Sequence, residues 1–147
     1  MGIYTKSERE TLWDAWGEVI SAITVGEVVA ATMPSDIQEI FRENLRDIPL
    51  RDALLAQSAR NPEFRPALRE VFAVLAQNDD VPSRTLLAAM QFLDGDMDDA
   101  RANVSKVLET EDYSLARLLD TGLAMQAPAS MLARSFSHFE PTDLLND

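Results

Sequence analysis

A short turn between two apolar stretches constrains the fold of this chain more than any other segment. The turn is Gly95-Asp96-Met97-Asp98-Asp99-Ala100, and the apolar stretches on either side of it are 86–90 and 113–119. Glycine often ends a helix because it adopts the left-handed backbone conformation at little cost, and acidic residues are favoured in the first turn of the helix that follows. The segment therefore predicts a helical hairpin, which needs further helices to cover its apolar faces.

Signals for the start of a helix recur along the rest of the chain. Ser7-Glu8-Arg9-Glu10 and Ser35-Asp36-Ile37-Gln38 both have the spacing of a capping box, with the serine as the expected cap. A proline in the first turn of a helix costs little, because the amide that it lacks has no partner inside the helix. Prolines at suitable places mark three further starts, which are Pro49 with Asp47 as its cap, Pro66, and Pro82 in Val81-Pro82-Ser83.

Apolar residues recur at helical spacing after these starts and predict the buried faces. The expected core positions of the first two helices are Leu12, Trp16, Val19, Ile20, Ile23, Ile37, Ile40, Phe41 and Leu45. Two last helices are expected over about 113–125 and 128–136, and no stretch alternates between polar and apolar residues as a strand would. The sequence thus predicts an all-α, single-domain helical bundle of about seven or eight helices over 1–136, followed by a flexible C-terminal tail over 137–147.

The balance of charge limits the classes of partner. The chain has 13 Lys and Arg against 25 Asp and Glu, for a net charge of -12. Neutralising phosphates requires clustered basic side chains, so direct binding of nucleic acid is not expected, whereas a protein with a basic surface would be attracted. The chain has no cysteine, no recognisable secretion signal and no apolar run of the ~20 residues that a membrane span needs. We expect a cytoplasmic protein that does not associate with a membrane.

No residue pattern indicates catalysis or a bound cofactor. Asp94, Asp96 and Asp98 alternate as in the opening of a calcium loop, but Asp99 stands where that loop requires glycine. His138 is the only histidine, so there is no pair of histidines for zinc. We therefore expect a protein that is not an enzyme and that has no metal ion or cofactor.

The spacing of small residues indicates a tetratricopeptide-like arrangement of the hairpin. Ala88 and Gly122 are 34 positions apart, which is the length of one such repeat, and Ala100 lies where the second helix of the repeat needs a small residue. Thr121 stands where Leu87 would be repeated. The pattern therefore predicts one tetratricopeptide-like antiparallel hairpin and part of another, rather than a long array.

The segment 51–129 resembles a known family. The residues that carry the resemblance are Ala88-Ala89-Met90-Gln91-Phe92-Leu93-Asp94-Gly95-Asp96 and Asp112-Tyr113-Ser114-Leu115-Ala116-Arg117-Leu118-Leu119. They are similar to the helical C-terminal part of the actinobacterial domain of unknown function 4192. That family has Asp-Pro before its tyrosine, where this chain has Glu111-Asp112, and it carries an N-terminal α/β portion that is not found here. The resemblance implies a truncated, free-standing relative and brings no activity, cofactor or site residue.

Binding to another protein is the function that these observations favour. We expect the partner to lie in a helical groove lined by the hairpin from Pro82 to Met125, or on the exposed side of the first helix. Trp13 is a candidate contact because it lies one position off the apolar stripe and tryptophan is enriched among interface hot spots. The acidic turn supplies three further candidates, which are Asp96, Asp98 and Asp99.

Two other functions remain open at this point. The 25 acidic residues could form an anionic surface that imitates DNA and inhibits a nucleic-acid-binding protein, provided that the carboxylates lie on one face. The chain could also assemble with copies of itself as a homo-oligomer.

Overall fold

The computed structural model of the chain describes residues 2–146, so Met1 and Asp147, the outer ends of the predicted domain and tail, lie outside the described residues. This part of the chain is built of helices joined by short turns and contains no strand, which confirms the all-α single-domain bundle. Its helices are α1 (Lys6–Thr24), α2 (Ser35–Asn44), α3 (Ile48–Arg60), α4 (Arg65–Leu75), α5 (Val81–Leu93), α6 (Met97–Thr110), α7 (Ser114–Ala124), α8 (Ala129–Ser137) and α9 (Pro141–Leu144). Single 3₁₀ turns occupy Ala30–Thr32, Pro62–Phe64 and Ala76–Asn78. None of the helices within residues 2–146 is both long and apolar enough to span a bilayer.

Both predicted capping boxes are wrong in position. The cap of α1 is Thr5, whose hydroxyl accepts a hydrogen bond from the Glu8 amide while the Glu8 carboxylate accepts one from the Thr5 amide. Thr5 and Ser7 both match the same short pattern, and the chain uses the earlier residue. At α2, Ser35 is already helical and Pro34 occupies the cap position without a side-chain hydrogen bond.

Three other helix termini are confirmed. The Asp47 carboxylate caps α3 by accepting from the Leu50 amide at 3.1 Å, and Pro49 lies in the first turn. Pro66 lies in the first turn of α4, and Pro82 lies in that of α5. The first amides of a helix have no partner inside the helix. Asp47 supplies a partner for one of them, whereas each proline simply lacks such an amide. Both effects depend only on residues close to the helix start.

The predicted hairpin is α5 and α6, joined by a turn of only three residues. Gly95 has φ of +83°. Its amide donates to the Phe92 carbonyl at 3.0 Å, and the Asp96 amide donates to the Gln91 carbonyl at 2.8 Å. These two bonds form the motif by which a left-handed residue ends a helix. Since the turn is short and the two helices pack together along their length, they are antiparallel.

The core is organised around Trp16, as its place on the predicted stripe indicates. Trp16 is completely buried and stacks on Phe41 with ring centroids 4.2 Å apart. Phe72 of α4 lies against the same indole. The stripe of α2 is predicted less well, because Ile40 is 49% exposed although its spacing places it on the core face. α2 therefore buries a narrower face than its apolar residues would allow.

The C-terminal segment, for which the sequence predicts a flexible tail, is seated against the bundle as far as Asn146. Leu145 is only 2% exposed and packs on Leu50 and Ala53 of α3. Pro141, in the first turn of α9, is also buried. The composition of the segment is polar, but its few apolar residues meet a complementary face on α3, which local sequence does not reveal.

Residues near both termini meet around Asp47 and its partner Arg9. Its buried carboxylate accepts hydrogen bonds from the amides of Ile3 and Tyr4 and pairs with Arg9 at 2.8 Å. Arg9 in turn donates to the Leu145 carbonyl at 3.4 Å. One carboxylate thus joins the N-terminal segment, α1 and α3, and its partner Arg9 contacts the C-terminal segment.

Candidate functional site

Trp13, the tryptophan predicted to be an interface anchor, is half-buried. Its ring packs against the main core and also against the small cluster formed by Leu50, Ala53 and Leu145. It also borders a cavity of about 90 Å³ beneath α1, together with Trp16 and other side chains. Trp13 therefore presents only part of its surface to a partner, and the rest of the ring joins two parts of the core.

The three predicted acidic residues are in different environments. Asp96 pairs with Arg69 of α4, and Arg69 also pairs with Asp94 at 2.9 Å. Burial lowers the pKa of Arg69, but the hydrogen bonds with these two carboxylates raise it by more, so the guanidinium stays charged. Asp98 is fully exposed and pairs with Arg101, which lies one turn further along α6. Asp99 is also exposed. Asp96 thus holds the hairpin turn to α4, and only Asp98 and Asp99 face solvent freely enough to meet a partner.

A concave apolar surface lies elsewhere, in a groove between α7 and α8. We call this groove of about 400 Å³ the α7–α8 groove. Four large apolar side chains on it are at least half exposed: Leu118 56%, Met125 75%, Met131 55% and Phe139 51%. The remaining side chains that line it are Phe92, Thr121, Gly122, Ala127, Leu132, Ser135 and Phe136.

Gly122 forms the floor of the groove where α7 crosses α5. A Cβ atom at this position would lie 3.3 Å from the Phe92 ring, so the absence of a side chain is what allows the helix and the ring to approach this closely. The predicted need for a small residue at 122 is consistent with this contact.

The turn after α7 sets the position of α8. Gln126 has φ of +55°, a left-handed conformation that costs a residue other than glycine about 1 kcal/mol. Its amide donates to the Leu123 carbonyl, and the Ala127 amide donates to the Gly122 carbonyl at 2.9 Å. This is the same terminating motif as at Gly95. It turns the chain so that Met131 and Phe136 of α8 face Leu118 of α7 across the groove.

The groove offers almost no hydrogen-bonding capacity to a ligand. The hydroxyl of Thr121 donates to the Arg117 carbonyl at 3.0 Å, and that of Ser135 donates to the Met131 carbonyl at 3.0 Å. Both donors are therefore used within their own helices. What binds here must gain its affinity from apolar contact.

An acidic depression adjoins the groove. It is lined by Leu108, Glu109, Thr110, Glu111, Asp112, Arg117, Asp120 and Thr121. Thr121 lines both the depression and the α7–α8 groove, so the two surfaces are continuous. The one basic residue in the depression, Arg117, already pairs with Asp112 at 3.3 Å. The side chains that surround the depression therefore carry a net negative charge.

Other chemically notable side chains are committed to structural contacts. Arg51 donates to the Tyr113 hydroxyl at 2.7 Å, and burial raises the pKa of Tyr113 more than the charge of Arg51 lowers it. The His138 ring meets Phe139 edge-on, with centroids 5.4 Å apart. Within residues 2–146 no group of three or more His, Asp or Glu side chains is arranged to hold a metal ion.

Sequence reasoning missed the α7–α8 groove although a signal was present. Leu115, Leu119 and Leu123 supply the core face of α7. Leu118 and Met125 form a second apolar face, which a helix buried on only one side does not need. An apolar surface on both faces of α7 was the indication that one of them is available for binding.

Comparison of the chain with protein-family models, with curated proteins and with solved structures found no match. The resemblance of residues 51–129 to the domain of unknown function 4192 stays a prediction.

Proposed function

We propose that this protein is not an enzyme and acts by binding a partner protein through the α7–α8 groove. The observation that carries the proposal is the set of four large apolar side chains left half-exposed around one concave surface. Exposed apolar patches on soluble proteins, when they are large, often mark interaction sites. The groove includes part of the predicted binding segment from Pro82 to Met125, through Phe92 and α7, and adds α8 as its second wall.

Covering the apolar side chains of this groove would contribute favourably to the binding of a partner. Full burial of a leucine, methionine or phenylalanine side chain is worth about 1.5 to 3 kcal/mol. Each of the four half-exposed side chains would therefore contribute about 1 kcal/mol on being covered. Their sum is comparable with the contribution of an interface hot-spot cluster, to which the partner's own apolar residues add.

The test compares capture of partners from a lysate of the native host by three forms of the protein. Leu118→Glu places a charge in the groove, and Ile40→Glu is its matched control, since Ile40 is a 49% exposed apolar residue in the middle of α2 and outside the groove. We expect that the wild type and Ile40→Glu both capture the same partner and retain it at high salt. Leu118→Glu should not capture this partner. Circular dichroism checks that both variants remain helical.

Two results would overturn the proposal. Equal capture by Leu118→Glu and the wild type would remove the groove from the binding site. A partner that dissociates as salt rises and is indifferent to Leu118→Glu would favour the acidic, DNA-mimicking surface instead, because exposed charges are screened by salt whereas apolar contacts are not.

A further inference from the structure

The α7–α8 groove and the acidic depression form one surface with two chemically different halves. Thr121 lies at the boundary between them. On one side are the half-exposed side chains of Leu118 and Met125, and on the other are four carboxylates, which belong to Glu109, Glu111, Asp112 and Asp120. A partner that covers both halves needs an apolar face and, next to it, basic side chains.

The chemistry of the groove favours a helix over an extended peptide. An extended backbone requires hydrogen-bonding partners once it is buried, and the Thr121 and Ser135 hydroxyls already donate within their own helices. A helix satisfies its backbone internally. The wall that α7 and its C-terminal cap contribute, from Leu118 to Met125, spans about 10 Å, the length of two turns of a docked helix.

A second copy of this chain is a poor occupant on grounds of charge. Each copy carries a net charge of -12, so two copies repel each other at long range. The depression next to the groove is itself acidic, which would place like charges at the edge of such a dimer. A basic partner experiences attraction from the same two sources.

We propose, on the basis of the function proposed above, that the occupant of the α7–α8 groove is a basic amphipathic helix of a partner protein. Its apolar side chains contact Leu118, Met125 and Phe139, and its lysine or arginine residues lie over the acidic depression beside Asp120. When a helix binds in a groove, its apolar anchors lie at positions i, i+3 or i+4, and i+7, and we expect this spacing in the partner helix.

The test uses three synthetic peptides of equal length, about four helical turns each, labelled for fluorescence anisotropy. The first has leucine on one face and lysine on the other, the second has glutamate in place of lysine, and the third is a scramble of the first without an apolar face. We expect the first peptide to bind best. Leu118→Glu should weaken it by tenfold or more, as loss of a central anchor does, while Ile40→Glu should leave it unchanged.

A matched pair of charge-reversal variants distinguishes the effect of charge in the acidic depression from the effect of the net charge of the protein. Asp120→Lys and Asp98→Lys change the net charge equally, but only Asp120 lines the depression. We expect Asp120→Lys to weaken the lysine peptide by roughly two- to tenfold at low salt, the size of effect that exposed charge pairs produce, and Asp98→Lys to weaken it less. Equal effects of the two variants, or equal binding of the scrambled peptide, would overturn the inference.

The remaining outcomes distinguish this inference from the proposed function. If capture of the native partner depends on Leu118 but the lysine peptide does not bind, or binds no better than the glutamate peptide, the groove remains the site and the basic helix is refuted. If sedimentation shows a dimer that Leu118→Glu dissociates, the groove belongs to a second copy. If native mass spectrometry shows a small apolar molecule retained by the wild type and lost in Leu118→Glu, the groove is a ligand site, and both proposals fail.

Discussion

Replacing Asp47 with alanine removes the carboxylate that joins the N-terminal segment and α1 to the first turn of α3. Asp47 is completely buried, and its ion-pair partner Arg9 is only 4% exposed. The carboxylate also accepts from the amides of Ile3 at 2.7 Å, Tyr4 at 3.2 Å and Leu50 at 3.1 Å. The substitution therefore removes the Asp47 carboxylate from its ion pair with the buried Arg9 guanidinium and removes the cap of α3.

The expected loss of stability follows from these contacts. Removing one partner of a buried ion pair costs about 3 to 5 kcal/mol, because the remaining charge stays desolvated. Loss of the helix cap, about 0.5 to 2 kcal/mol when measured alone, is part of the same change and is not added to it. Ile3 and Tyr4 lie near solvent, so water can replace the carboxylate at their amides. We expect a loss of about 3 to 5 kcal/mol, a large part of the 5 to 15 kcal/mol typical of a domain.

The assay is urea unfolding followed by the helical circular dichroism signal, with the free energy of unfolding taken from the midpoint and slope. Asp98→Ala is the control, because its carboxylate is fully exposed and pairs with Arg101 only at the surface. That variant should unfold at the wild-type midpoint. A loss below about 1 kcal/mol for Asp47→Ala, the size expected of a surface pair, would refute the role assigned to Asp47.

The same residue makes stability depend on pH in acid. Burial alone would raise the pKa of Asp47, but the hydrogen bonds from Arg9 and from the amides of Ile3, Tyr4 and Leu50 lower it by more. The unfolded chain therefore takes up a proton at a higher pH than the folded chain does. The stabilisation is present above the ordinary aspartate pKa of about 3.9 and is lost as pH falls through the folded value. We expect the difference in unfolding free energy between wild type and Asp47→Asn to shrink in that range, whereas a constant difference would contradict this account.

Three further predictions concern other parts of the molecule. Leu145→Ala should lower the free energy of unfolding in urea by about 2 kcal/mol, because Leu145 is buried against α3. Leu144→Ala should lower it by less, because Leu144 is only partly buried. Equal small effects of the two variants would mean that the segment is not docked in solution. Asp96→Lys should lower the unfolding free energy by about 1 kcal/mol through repulsion of Arg69, whereas Asp99→Lys should not shift the urea midpoint. Tyr4 and Tyr113, the only tyrosines, should both titrate above the ordinary pKa of about 10 by ultraviolet absorbance, because burial raises each pKa, and should return to it in urea.

Local sequence signals predicted where the helices begin and end better than they predicted which helix faces are buried. The caps at Asp47 and Gly95 depend on residues within a few positions of each helix end, so a short window of sequence contains the information. The Ser7 prediction failed within that same window, because Thr5 offers an equivalent capping box. Ile40 was misplaced for a different reason, since its burial depends on how α2 packs against elements distant in sequence.

The candidate site was only partly predictable. The choice of a groove that includes α7 followed from the hairpin pattern, but the second wall, α8, required the turn at Gln126 and the contact of Gly122 with Phe92. Asp96 looked like an acid without an ion-pair partner because that partner, Arg69, lies on another helix. Pairs of this kind are invisible to a pattern search, since the two residues are far apart along the chain.

The sequence by itself determined that this protein is an all-helical single domain, that Trp16 lies in its core and that a tight hairpin forms at Gly95. Each of these follows from helical periodicity or from backbone preferences that act over one or two turns. Only the tertiary structure decided which apolar residues remain uncovered. It buried Leu145 against α3 and left Leu118 and Met125 exposed, because burial depends on the surface that the rest of the fold places opposite a side chain and not on the apolar character of that side chain.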